Sequence, residues 1–147
     1  MSTTVRVAPP MPEPRPTAGA ARVVVIDDDE GQLRVIESML RSAGFEVATT
    51  SEPIGASNLV RSFRPDLVLL DVHIPALSGD RLLGLLRKVA PSTTQLVLHS
   101  AADVESLRER AVAVGADGWI QKNFDSGHLA AELRRLLLPA SSLPSSR

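Results

Sequence analysis

Four acidic residues in a row, Asp27-Asp28-Asp29-Glu30, stand directly after the apolar run Val-Val-Val-Ile26. Three more reactive side chains hold the same relation to later runs: Asp71 after Leu-Val-Leu-Leu70, Ser100 after Leu-Val-Leu-His99, and Lys122 after Gly-Trp-Ile-Gln121. Gathered in one cleft, they would combine several carboxylates, a hydroxyl and an ammonium. Crowded carboxylates repel, and the repulsion is relieved by protonating one or by binding a cation. An all-oxygen ligand set suits a hard ion, Mg²⁺ before Ca²⁺. Mg²⁺ is commonly held by one or two carboxylates, waters and a phosphate, so an open site of this kind asks for a phosphoryl group. Ser100 could then donate to one phosphoryl oxygen while Lys122 sets a point charge on another. Asp71 becomes a candidate nucleophile, because a carboxylate can carry a phosphoryl group as an aspartyl phosphate.

Whether those residues meet depends on the elements between them. Residues 1–20 hold five of the eleven prolines and no apolar periodicity, which predicts a disordered, Pro-rich tail; residues 139–147 read the same way. The remaining stretch, 21–138, is expected to fold as one domain. Within it, Arg22–Ile26, Phe45–Thr49, Asp66–Leu70, Gln95–His99 and Gly118–Gln121 read as short strands, the first and third with the near-continuous apolar character of buried ones. Between and after them, apolar residues recur at helical spacing: Leu33, Ile36, Met39, Leu40 and Ala43, then Pro53–Phe63, Asp80–Val89, Val104 to Val114, and Leu129, Leu133, Leu136 and Leu137. Gly44 and Gly115 stand where left-handed helix ends belong. Five strands alternating with five helices imply βαβ units and an α/β doubly wound parallel sheet. The flavodoxin-like strand order 2-1-3-4-5 is the default for a (βα)5 chain, with ligands at the C-terminal edge of the strands near the switch in strand order. That edge is where the acidic cluster, Asp71, Ser100 and Lys122 fall.

With these pieces in order, the sequence resembles the receiver domain of two-component response regulators. The matching segments are Val-Val-Val-Ile-Asp27-Asp28-Asp29, Leu-Leu-Asp71-Val-His-Ile-Pro75-Ala-Leu-Ser-Gly79, Leu-Val-Leu-His-Ser100-Ala101 and Gly115-Ala-Asp-Gly-Trp119-Ile-Gln-Lys122. The resemblance implies that Asp71 is the phosphoacceptor. It implies that Asp28 binds Mg²⁺ directly, that Asp27 does so mainly through water, and that the main-chain carbonyl of His73 supplies a further ligand. Ser100 and Lys122 would hold the phosphoryl oxygens, and Trp119 would take the aromatic switch position that responds when Ser100 moves. The implied partners are a sensor histidine kinase or phosphotransfer protein, and a downstream protein contacting the face of the fourth helix, fifth strand and fifth helix. Three positions depart from the family pattern: Asn123 where Pro usually follows the lysine, Trp119 where Tyr or Phe is usual, and Ile74 where Met is frequent. Without proline, the Lys122–Asn123 bond is expected to be trans, since a cis form there costs about 3 kcal/mol. The indole of Trp119 is large, so it is expected to stay partly exposed without phosphate and to move incompletely inward on activation.

Composition closes off other classes. Sixteen basic against seventeen acidic residues give a net charge of −1, with no general attraction for nucleic acid or an anionic membrane. One Trp, three Phe and no Tyr argue against a base-stacking surface. The absence of cysteine excludes disulfides, thiolate zinc sites and cysteine nucleophiles. No apolar stretch reaches the length of a membrane span, and the N-terminus lacks a secretory layout, so a cytoplasmic protein is expected. The short run after the last helix suggests a stand-alone receiver rather than a true enzyme, its chemistry limited to self-catalysed phosphotransfer and autodephosphorylation. Two alternatives compete. A pseudoreceiver would act by contacts independent of phosphate. An aspartate-nucleophile phosphatase would want an acid two residues after Asp71, where the chain has His73. His99 and His128 read as ordinary structural or surface residues. Asp29, Glu30 and Asp103 read as helix caps, and core packing accounts for most of Leu82, Leu83, Leu85 and Leu86.

Overall fold

The computed structural model describes residues 20–72, 79–122 and 127–138, with residues 79 and 80 described by backbone alone. The expected Pro-rich tail up to residue 19, the expected C-terminal tail from residue 139, the His73 carbonyl expected to bind metal and the Lys122–Asn123 bond lie outside the described residues. Five strands and five helices alternate: β1 (Arg22–Ile26), α1 (Glu30–Ser42), β2 (Glu46–Thr50), α2 (Pro53–Phe63), β3 (Leu67–Asp71), α3 (Gly79–Val89), β4 (Gln95–Ser100), α4 (Val104–Val114), β5 (Gly118–Gln121) and α5 (His128–Leu137). All neighbouring strands pair in parallel, in the order β2-β1-β3-β4-β5. This is the flavodoxin-like doubly wound sheet that the apolar runs imply.

Alternate residues of a strand point to opposite faces, and the two faces carry two cores. Val23, Val25, Leu67, Leu69, Val97 and Ile120 pack beneath α1 and α5, against Leu33, Ile36, Leu40, Leu129 and Leu133. Val24, Ile26, Val68, Leu70, Leu96 and Leu98 pack on the other side against α2, α3 and α4, through Ala56, Val60, Leu82, Leu86, Leu107 and Ala111. A strand buried on both faces has no solvent side for polar residues, which is why β3 is buried throughout. On α3, Leu82, Leu83 and Leu86 are buried and Leu85 is half-exposed. Among the described residues no helix is long and apolar enough to cross a membrane.

Local chemistry sets the element ends. Asp29 caps α1, its Oδ1 accepting from Gln32 N at 3.1 Å, and Asp103 caps α4, its Oδ1 accepting from Ser106 N at 2.9 Å. The end of α1 closes as Phe45 N donates to Leu40 O and Gly44 N to Arg41 O, each at 3.0 Å, with Gly44 at φ 98°. That left-handed turn favours glycine and reverses the chain into β2. It also uses the Phe45 N–H, so β2 starts at Glu46, one residue later than the apolar run suggests. β3 and β4 each run one residue further than their apolar runs, so Asp71 and Ser100 end strands rather than follow them.

Candidate functional site at the strand edge

The switch in strand order lies between β1 and β3, and the two strands deliver carboxylates there side by side. Asp27 follows β1 and Asp71 ends β3; both are buried. Asp28 is exposed beside them. Carboxylate oxygens of Asp27, Asp28 and Asp71 all lie within 4.8 Å of one another. Lys122, just past β5, arrives from two strands away, its backbone N–H donating to Ser100 O at 2.7 Å. Its side chain is only 10% exposed, and its ammonium donates to Asp27 Oδ2 at 3.1 Å and to Gln32 Oε1 at 2.7 Å and lies 3.6 Å from Asp71 Oδ1. Asp27 Oδ1 accepts from Asp29 N at 2.9 Å, which ties the acidic loop to the start of α1.

The charge balance of this cluster suits a divalent cation. Among the described residues, three carboxylates of this cluster face one ammonium, leaving two formal negative charges. The ligands are all oxygens, and exposed Asp28 leaves the cluster open to water, as Mg²⁺ coordination requires. The residues present therefore fit Mg²⁺.

Ser100 and Trp119 belong to the opposite face of the sheet. The register pairs Leu98 with Trp119 and Ser100 with Gln121, so both side chains point toward α3 and α4. Ser100 is fully buried, and its Oγ accepts from Ala102 N at 3.0 Å. Trp119 is half-buried against the core of that face, the intermediate exposure expected for an indole at this position. It also borders an open groove of about 420 Å³, whose other walls include Val104, His128, Glu132 and Arg135.

Two residues of the site escaped the sequence reading. Gln32 was not singled out; an amide in the first turn of a helix that follows an acidic cluster was the available signal. His99 is structural rather than a surface residue, and charged groups of the site lie close to it. It is buried, pairs in register with Asp71, and lies on the face of Asp71 and Lys122. Burial, and then the Lys122 ammonium, push its pKa down from 6.5 to about 4, with Asp27 pulling the other way. The ring is therefore uncharged at neutral pH. Its signal was an imidazole in the place of an apolar residue within Leu-Val-Leu-His99-Ser100.

Comparison with known proteins identifies the family to which this fold and this edge belong. Residues 23–134 match the response regulator receiver domain family, and the chain belongs to it. The chain is similar to the transcriptional regulatory protein PrrA of Mycobacterium tuberculosis, 34% identical over 125 residues that cover 85% of this chain and 53% of that protein. It thus spans about half the length of that relative. In structure it is similar to the chemotaxis protein CheY4 of Vibrio cholerae, with a TM-score of 0.72, 25% identity, and coverage of 80% of this chain and 99% of that one. It also shares the fold of the receiver domain of sensor histidine kinase PA1611 from Pseudomonas aeruginosa, described with a magnesium ion in its active-site cleft. There the TM-score is 0.68 at 24% identity, covering 81% of this chain and 98% of that one.

Proposed function

We propose that this chain accepts a phosphoryl group on Asp71 from a histidine kinase or phosphotransfer protein and signals through contacts that depend on it. The observation that carries the reading is the meeting of Lys122 with Asp27 and Asp71, beside Asp28, at the switch point of the sheet. Asp71 Oδ attacks the phosphorus of a phosphohistidine. The new O–P bond forms as the P–N bond breaks, and its electron pair stays on the imidazole of the donor. Asp27, Asp28 and Asp71, with the carbonyl of His73, would hold Mg²⁺, which when bound offsets the charge between the carboxylate and the incoming phosphoryl group. Lys122 and Ser100 take the phosphoryl oxygens. Ser100 Oγ accepts from Ala102 N, which leaves its own O–H to donate, and a shift of Ser100 toward the phosphoryl group would open room beside Trp119 on the same face. Later attack by water returns Asp71 and inorganic phosphate, so the chain acts as a signalling module rather than a metabolic enzyme.

The output surface in this reading is the face of α4, β5 and α5, with Trp119 as its anchor; Trp is favoured in that role. The partner is a protein, with no direct contact to nucleic acid or membrane, and the setting is the cytoplasm. The test is a phosphotransfer profile against histidine kinases, followed by pull-down with and without beryllofluoride. Transfer from one kinase and capture only with beryllofluoride are expected. Equal capture in both states would favour the pseudoreceiver. Intrinsic emission gives a further check, since the chain has one Trp and no Tyr. Emission of the free protein should be that of a partly exposed indole and should change with Mg²⁺ and beryllofluoride. Fully quencher-protected emission before activation would remove Trp119 from the switch.

A further inference from the structure

We propose that Gln32 is a positioning residue for Lys122, holding the ammonium so that one donor stays aimed at the phosphoryl site; this rests on the reading of Asp71 as phosphoacceptor. An ammonium has three N–H donors. On Lys122 one goes to Asp27 Oδ2 at 3.1 Å and one to Gln32 Oε1 at 2.7 Å. The nearest oxygen of Asp71 lies 3.6 Å from the ammonium, an ion-pair distance just beyond hydrogen-bond range. A phosphoryl oxygen carried on Asp71 would enter that gap.

The anchor is built from the backbone up. Asp27 Oδ1 accepts from Asp29 N, Asp29 Oδ1 accepts from Gln32 N, Gln32 Oε1 accepts from Lys122 Nζ, and Lys122 Nζ returns to Asp27 Oδ2. This closed ring joins the end of β1, the start of α1 and the end of β5. A lysine on its flexible four-carbon stem, tied to Asp27 alone, could swing onto Asp71 and cover the oxygen that must attack. An amide oxygen prevents this without neutralising the ammonium. It also adds no fourth carboxylate to a cluster that already carries three.

The test is the rate of phosphate incorporation from acetyl phosphate with Mg²⁺, read by intact mass on the full chain. Four proteins are compared: wild type, Gln32→Met, Lys122→Ala and the double variant. Methionine keeps the length of the side chain and removes the amide acceptor; Gln32→Ala replaces it if Gln32→Met shows no cooperative melting. Gln32→Met should be about tenfold slower than wild type, the scale of a lost hydrogen bond to a charged group. In the Lys122→Ala background the same change should have no effect, because the group that Gln32 positions is gone. Equal rates for wild type and Gln32→Met would overturn the proposal alone. An equal loss in both backgrounds would also overturn it, since Gln32 would then act without Lys122. No incorporation by wild type would overturn the phosphoacceptor reading itself, and the role of Gln32 with it.

Discussion

Mg²⁺ should raise the melting temperature of the wild-type protein and leave that of Asp28→Ala unmoved. Three carboxylates lie within 4.8 Å of one another with one ammonium among them, and folding forces that crowding. The unfolded chain does not hold the three together, so a cation that needs all of them binds the folded state alone. By mass action, free Mg²⁺ at a hundred times its dissociation constant stabilises the fold by about 2.7 kcal/mol. For a domain of this size that is a rise of about 10 °C. Asp28 is exposed, so its truncation opens no cavity. Removing one of three like charges should instead make the metal-free variant melt at or above the wild type. Thermal melts with and without Mg²⁺ check both statements. Equal rises in the two proteins would mean that the cation binds elsewhere.

The second large effect is on acid stability, through His99. The folded protein refuses a proton on this ring until about pH 4, whereas the unfolded chain accepts one near 6.5. Between those values the unfolded state binds more protons, so stability falls as pH falls. The loss begins near pH 6.5 and is complete below about 4, where it reaches about 3 kcal/mol. In His99→Leu this contribution is absent, while the carboxylates that titrate in the same range are common to both proteins. Urea unfolding at neutral pH and near pH 4.5 should therefore show a larger drop for wild type, by about 2–3 kcal/mol. Parallel losses would mean that the ring is not held uncharged by its burial and by the Lys122 ammonium.

How much of this was legible in the sequence follows from which forces act locally. The strands announced themselves because burial on both faces leaves only apolar residues, and the reactive groups stood out because each ends such a run. Strand order followed from the alternation of strand and helix. Strand ends were misplaced by one residue where a backbone bond decides them. The Phe45 N–H is taken by Leu40 O, and the sheet continues far enough to include Asp71 and Ser100. Gln32 and His99 were hidden for a different reason. Gln32 matters only because Lys122 stands ninety residues away in sequence and 2.7 Å away in space. His99 reads as a strand residue like any other until the register sets it beside Asp71 and beneath Lys122. Cross-strand neighbours of this kind are set by register, which no local spacing records.

The central claim is that Asp71 carries the phosphoryl group in a site that needs Mg²⁺. The direct measurement is incubation of the full chain with acetyl phosphate, followed by borohydride trapping of acyl phosphates and peptide mass spectrometry. The account predicts one trapped site, at Asp71, lost when Mg²⁺ is chelated and lost in Asp71→Asn. Trapping at another residue, or incorporation undiminished in Asp71→Asn, would contradict it.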